Sequence, residues 1–174
     1  MIKIKGRDSK QIITTAEACF EVMKALLKRE GEVRHSGYFT VSKVNSLAHL
    51  IAIELGDGGL QAQDDLDRFQ VNSKEKATRL ISGINEGYTT SWQTRNPNEN
   101  HYGGAVIICD EYAFSFSGLP ELHDEALMLY VAYCSGLISK SDAFKIASIS
   151  ENDYFFMAVE FAYGFKYSEQ SEKI

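Results

Sequence analysis

Two segments in which apolar and polar residues alternate, each folded back on itself and each followed by a helical pattern, constrain this chain more than any other feature. Residues 38–55 hold two such runs broken at Asn45-Ser46, the pattern of a β-hairpin with one buried face. A second hairpin is read from residues 105–109 and 112–116 about an Asp110-Glu111 turn, and it leads straight into a helix that opens at Pro120. A helix precedes each hairpin. The order helix, hairpin, helix, hairpin, helix predicts an α+β domain in which helices pack on one antiparallel sheet.

The first helix is expected from Thr14 or Thr15, where Thr14 and Glu17 have capping-box spacing and Ala16, Cys19, Phe20, Met23, Leu26 and Leu27 follow a helical period. Gly31 is its natural stop. After the first hairpin, Gly56-Asp57-Gly58-Gly59 reads as a flexible turn, and Asp64-Asp65-Leu66-Asp67 as a solvated loop. The second helix is expected over residues 73–93, capped by Ser73, with Ala77, Leu80, Ile81, Ile84 and Tyr88 on one stripe. Residues 93–101 are polar, contain Pro97, and read as a loop. The third helix carries Glu121, Asp124 and Glu125 in its first turns, where the macrodipole favours carboxylates, and it is expected to end near Ser135-Gly136. A short helix is expected at residues 141–147. The dense aromatic run that follows, including Tyr154, Phe155, Phe156, Phe161 and Tyr163, fits a helix or a strand. It is too apolar for a one-sided surface element, so it is expected to be buried in the domain or in a partner.

Composition sets the remaining bounds. A chain of 174 residues with 44% hydrophobic content and two prolines suits a single domain with a substantial core. The 24 acidic and 18 basic residues are scattered, giving a formal charge of −6 and no basic stripe that would neutralise phosphates, so nucleic acid is not an expected partner. No apolar run approaches the ~18 residues of a membrane span, and the first residues lack a signal-peptide core. A cytoplasmic, soluble protein is the expectation. Cys19, Cys109 and Cys134 lie far apart in apolar segments, and all three read as small buried hydrophobes.

The segment from Val41 through His49-Leu50 to Asp57-Gly58, together with Gly103-Gly104, Ser117-Gly118 and Asp124-Glu125-Ala126, resembles the GlcG/HbpS-like family (haem-degrading, PduO C-terminal-like domains). Its signatures read approximately V-x-x-V-D-x-x-G-H-L-x-A-x-x-x-x-D-G and G-G-x-P-I…G-V-S-G-x-x-x-x-x-D-E-A. The resemblance covers roughly residues 12–136 and implies a profilin-like α+β fold, with residues 137–174 as an apolar C-terminal extension of the single domain 1–174. It departs from the family at Phe114 and Phe116, where a glycine-rich strand is usual. It departs again at Ala77, which is followed by Leu80 and Ile81 where the motif A-x-x-K-A expects lysine and alanine.

The family includes haem-binding, haem-degrading and uncharacterised members, so the resemblance implies a small-molecule ligand, with haem or a related planar acid as the candidate cofactor, and a homo-oligomer. The ligand-binding residues it points to are His49, Asp57, Ser117, Gly118, Asp124 and Glu125. His49 is the candidate metal ligand, since an imidazole at that position would coordinate a haem iron; hydrogen bonding near a strand turn is the alternative. His123, Asp124 and Glu125 would bind a metal or serve in acid–base work, or simply satisfy a helix end. Ser117-Gly118 precedes a helix N-terminus, where free N–H groups suit a carboxylate, though a capping role is equally simple. No catalytic residue is assigned. Three readings stay open: a binding module, a haem-degrading enzyme using His49 and Asp124, and a structural or assembly subunit whose pocket Phe114 and Phe116 have filled.

Overall fold

A computed structural model describes residues 3–46 and 48–171. Residues 1, 2, 47 and 172–174, and the side chains from position 165 onward, lie outside what is described; they include part of the segment from Val41 to Gly58 and the end of the apolar extension 137–174. The chain begins with a two-residue hairpin, β1 (Lys3–Ile4) and β2 (Arg7–Asp8), turned through Lys5 and Gly6, both at positive φ. It continues through α1 (Ser9–Arg29), the hairpin β3 (Ser36–Lys43) and β4 (His49–Gly56), and α2 (Gln63–Ser82). A loop with three short 3-10 turns leads to the hairpin β5 (Ala105–Ile108) and β6 (Tyr112–Ser117), and then to α3 (Glu121–Cys134), α4 (Lys140–Ala147) and α5 (Tyr154–Ser171).

The protein is α+β. Both hairpins join one antiparallel sheet in the order β4-β3-β6-β5, with β3 and β6 at its centre. Register pairs Phe39 with Ile53 and Phe116, and Val41 with Ile51 and Phe114. Strand alternation therefore sends Phe39, Val41, Phe114 and Phe116 to one face, where α1 and α3 pack, and α5 packs outside those two helices. Phe20 meets Phe116 at 5.3 Å between ring centroids, and Phe39 meets Phe114 at 5.9 Å. Each of these buried side chains contributes about 1.5–3 kcal/mol through burial. Phe114 and Phe116 thus fill the core on the side of α1 and α3, as their size suggests.

On the other face Thr40, Ala113 and Ser115 meet α2 through Ser73, Ala77, Leu80 and Ile81. This face is mixed rather than apolar, and Ser73 Oγ donates to Thr40 Oγ1 or to the Ser115 carbonyl. α3 is enclosed nearly all round, from His123 to Ala132, because the sheet, α1, α4 and α5 surround it.

Several boundaries differ from the sequence reading. α1 starts at Ser9, not Thr14: Asp8 caps it by accepting from the Lys10 N–H, and Ile12 extends the buried stripe one turn upstream. Its end at Gly31 holds, since Gly31 takes a positive φ and the Glu32 N–H bonds the Leu27 carbonyl, a Schellman closure. α2 occupies residues 63–82, not 73–93. Asp64 and Asp65 are its first turn, stabilised by the macrodipole, and not a solvated loop. Ser73 is an interior residue facing the sheet, and Gly83 ends the helix, its missing Cβ leaving room for the Tyr88 ring.

The second hairpin turns through Cys109, Asp110 and Glu111, with Cys109 and Asp110 both left-handed. Of the cysteines only Cys19 is buried; Cys109 is half-buried beside Lys5, and Cys134 is exposed. The aromatic run is a helix. Phe155, Ala158 and Val159 enter the core, whereas Met157 and Tyr163 face outward.

Candidate functional site

β6 ends at Ser117, and the chain turns through Gly118, Leu119 and Pro120 into α3. Gly118 has φ +147, and a Cβ there would come within 2.6 Å of Gly37 Cα and 2.7 Å of the Ser36 carbonyl, so only glycine lets this turn lie against β3. The turn forms one wall of a cleft of about 410 Å³, and α2 forms another through Phe69, Asn72 and Lys76. Tyr102 and Glu121 also line it. Glu121 is fixed there by the Arg95 guanidinium at 2.7 Å and the Gly103 N–H at 2.9 Å.

A buried ion pair lies at the base of the cleft. Lys76 Nζ donates to Asp124 Oδ2 at 2.8 Å and to the Phe116 carbonyl at 3.0 Å, while Asp124 Oδ1 accepts from the Leu119 N–H at 2.9 Å. Both side chains are about 2–3% exposed. Gly104, with φ +116, passes so close that a Cβ would stand 2.6 Å from Asp124 Cβ and 2.9 Å from Lys76 Nζ. Burial pushes the Asp124 carboxyl up to about 7, against the opposing pull of Lys76 and of the Leu119 N–H. An ammonium group carries three donors, and Lys76 commits two of them to Phe116 and Asp124.

The structure brings together Ser117, Gly118 and Asp124 of the residues singled out in the sequence. It places the other three elsewhere. Glu125 is adjacent to Asp124, but successive helical positions diverge by about 100°. Its fully buried carboxylate accepts from Thr90 Oγ1, Ser150 Oγ and Asn152 Nδ2, pinning the 90s loop and the α4–α5 junction to α3. Burial raises its pKa, with those three donors opposing. Asp57 caps the 3-10 turn at Gly58–Leu60 through the Gly59 N–H.

His49 opens β4 at the sheet edge, with its Nδ1 2.8 Å from Ser42 Oγ, and burial and the nearby Lys74 lower its pKa. Ser42 and Tyr38, whose strand partner Ser117 lines the cleft, are four residues apart on β3, ~13 Å along the strand. His49 therefore does not face the cleft, and among the described residues no group of three or more His, Cys, Asp or Glu side chains is placed to hold a metal ion. His123 leaves the cleft too: it stacks on Tyr154 at 3.7 Å, and its Nε2 is 3.4 Å from Glu30 Oε2 without hydrogen-bonding geometry.

Sequence reasoning missed Lys76, and it singled out Gly104 only within the Gly103-Gly104 motif, without a place in the site. The signal for Lys76 was a lysine on the sheet-facing stripe of α2, three residues from Ser73 and one from Ala77. Arg79, one helical turn on, holds the cleft's far wall by donating to the carbonyls of Ser91, Thr94 and Tyr102. Comparison with protein-family models, with curated proteins and with solved structures finds no match for this chain. No helix among the described residues is long and apolar enough to cross a membrane.

Proposed function

We propose that this chain is a small-molecule-binding domain, a divergent GlcG/HbpS-like member, whose ligand presents a carboxylate to Lys76 and to the backbone at Ser117–Gly118. The observation that carries the reading is the buried Lys76–Asp124 pair in the wall of an open cleft. Well-packed apolar residues would serve the fold as well as a buried ion pair or better. A cation beside the start of α3 is what an anionic group would meet there. Haem belongs to this ligand class through its propionates. Its iron is no part of the reading, because His49 faces a different part of the sheet. The cleft lies on the α2 side, so the packed rings of Phe114 and Phe116 do not compete for it.

Calorimetric titration of the full chain with haemin and with a panel of small carboxylic acids tests the proposal. Lys76→Met should weaken binding at least tenfold, about 1.4 kcal/mol. His49→Ala should leave it unchanged, with far-UV circular dichroism showing both variants folded. Binding that survives Lys76→Met, or is lost in His49→Ala, refutes the site. A folded chain that binds none of these acids favours the structural or assembly subunit instead. Loss of bound haemin on adding a reductant would favour the haem-degrading enzyme.

A further inference from the structure

Cys134 ends α3 in contact with a second cysteine. Ile12, Thr15 and Cys19 form one stripe of α1 at helical spacing, and that stripe meets the last turn of α3. Ile12 and Thr15 line a cavity of about 190 Å³ together with Tyr133, Cys134 and Ser135. One turn further along α1, the Cys19 thiol donates to the Cys134 sulfur. That hydrogen bond, together with burial, holds the Cys19 thiol protonated far above its ordinary range.

The two sulfurs differ in access. Cys19 is 3% exposed and sits in the core, whereas Cys134 is exposed. The cavity brings Arg7, Gln11 and Thr15 beside the accessible sulfur. The Arg7 guanidinium lies over Gly136, 2.9 Å from where a Cβ would stand, so the glycine keeps that approach open. Tyr130, one turn earlier on α3, donates its hydroxyl to the same sulfur. A nearby guanidinium and a hydroxyl donor favour the thiolate, which is the reactive form of cysteine. Cys109 is held differently, accepting from Lys5 Nζ at 2.9 Å and donating to the Leu137 carbonyl at 3.1 Å.

We propose that Cys134 and Cys19 form a redox-modification site: a small hydroperoxide entering the cavity beside Arg7 oxidises Cys134, and Cys19 then closes a disulfide between α3 and α1. The Cys134 thiolate attacks one peroxide oxygen and the O–O bond breaks. The other oxygen leaves as water or an alcohol, taking up the proton that Cys134 released, and Cys134 carries a sulfenic acid. Cys19, shielded from the oxidant, attacks Cys134 Sγ; the S–O bond breaks, and water leaves with the hydroxyl and the Cys19 proton. Two thiols thereby lose two electrons to give one disulfide, and one peroxide is reduced. A dithiol reductant returns the pair by exchange. This site lies at the C-terminal end of α3, and the Lys76 cleft at its N-terminal end.

Reduced full chain exposed to hydrogen peroxide, followed by thiol counting and non-reducing peptide mass mapping, tests the proposal. Titratable thiols should fall from three to one. The map should show Cys19 and Cys134 peptides joined, lighter by two hydrogens than the pair of free peptides, with Cys109 still a thiol. In Cys19→Ser, oxidation should stop at a sulfenic acid on Cys134 that dimedone captures. Cys134→Ser should leave Cys19 unmodified. Arg7→Met should slow thiol loss about tenfold, and Arg7→Lys should recover most of the rate. The wild-type map decides even where a variant does not fold. Three intact thiols after peroxide, a disulfide that includes Cys109, or one joining two copies overturns the proposal. So does an unchanged rate in folded Arg7→Met.

Discussion

A double-mutant cycle on Lys76 and Asp124 tests the energetic account of the site most directly. Both groups are buried, so removing either partner leaves the other without its charge counterpart in a low-dielectric environment, and the general cost is about 3–5 kcal/mol. The two losses should not be equal. Raising Asp124 from 3.8 to about 7 corresponds to ~4 kcal/mol of penalty on its charged form, as an upper bound. In Lys76→Met the carboxyl escapes much of the loss by taking a proton, and its Leu119 N–H contact survives. In Asp124→Asn the ammonium keeps the Phe116 carbonyl but loses its anion. Asp124→Asn should therefore be the more destabilising single change at pH 7, at about 3–5 kcal/mol, with Lys76→Met nearer 2 kcal/mol.

The double variant should be less destabilised than the sum of the singles by at least about 1.5 kcal/mol. Urea unfolding followed by far-UV circular dichroism gives each value from the shift in midpoint at constant slope. Additivity within about 0.5 kcal/mol, with all variants folded, would show that the two groups do not act as a pair and would remove the basis for the binding site.

The raised Asp124 titration has a pH consequence with a definite sign. A folded-state value above the unfolded one means that the associated stability is fully present below about 4 and is lost as pH rises through about 7. Wild type should thus gain stability relative to Asp124→Asn as pH falls from 7 to 5, by up to ~1.4 kcal/mol per pH unit, measured as paired urea midpoints; a flat difference would contradict the buried-carboxyl account. Gly104→Ala should lower thermal stability by about 2–4 kcal/mol, because it combines a left-handed φ with a Cβ forced onto Asp124 and Lys76. An unchanged melting temperature in that variant would show that the close approach is not as drawn.

The hairpins were legible because period-two alternation survives wherever one face of a strand meets an apolar core, as it does from Phe39 to Val41 and from Tyr112 to Phe116. α2 was misplaced for the complementary reason. Its buried face carries Ser73 and Lys76, since it meets Thr40, Ser115 and the Phe116 carbonyl rather than hydrocarbon, so its apolar stripe begins only at Ala77. Ile84 and Tyr88 then extend that stripe in sequence although the helix has ended, because both return from the following loop to pack on the same cluster.

The same polarity explains which part of the site could be read. Ser117, Gly118 and Asp124 belong to one strand-to-helix junction and are marked by local spacing. Lys76 and Gly104 reach that junction through the pairing of two hairpins and the packing of α2 across them, which no local pattern encodes. A helix that must cover a polar sheet face cannot announce itself by amphipathicity. The lysine that breaks its stripe is buried because the strand end beneath it offers a carbonyl and a carboxylate. The feature that obscured α2 in the sequence is thus the same one that furnishes the cleft with its cation.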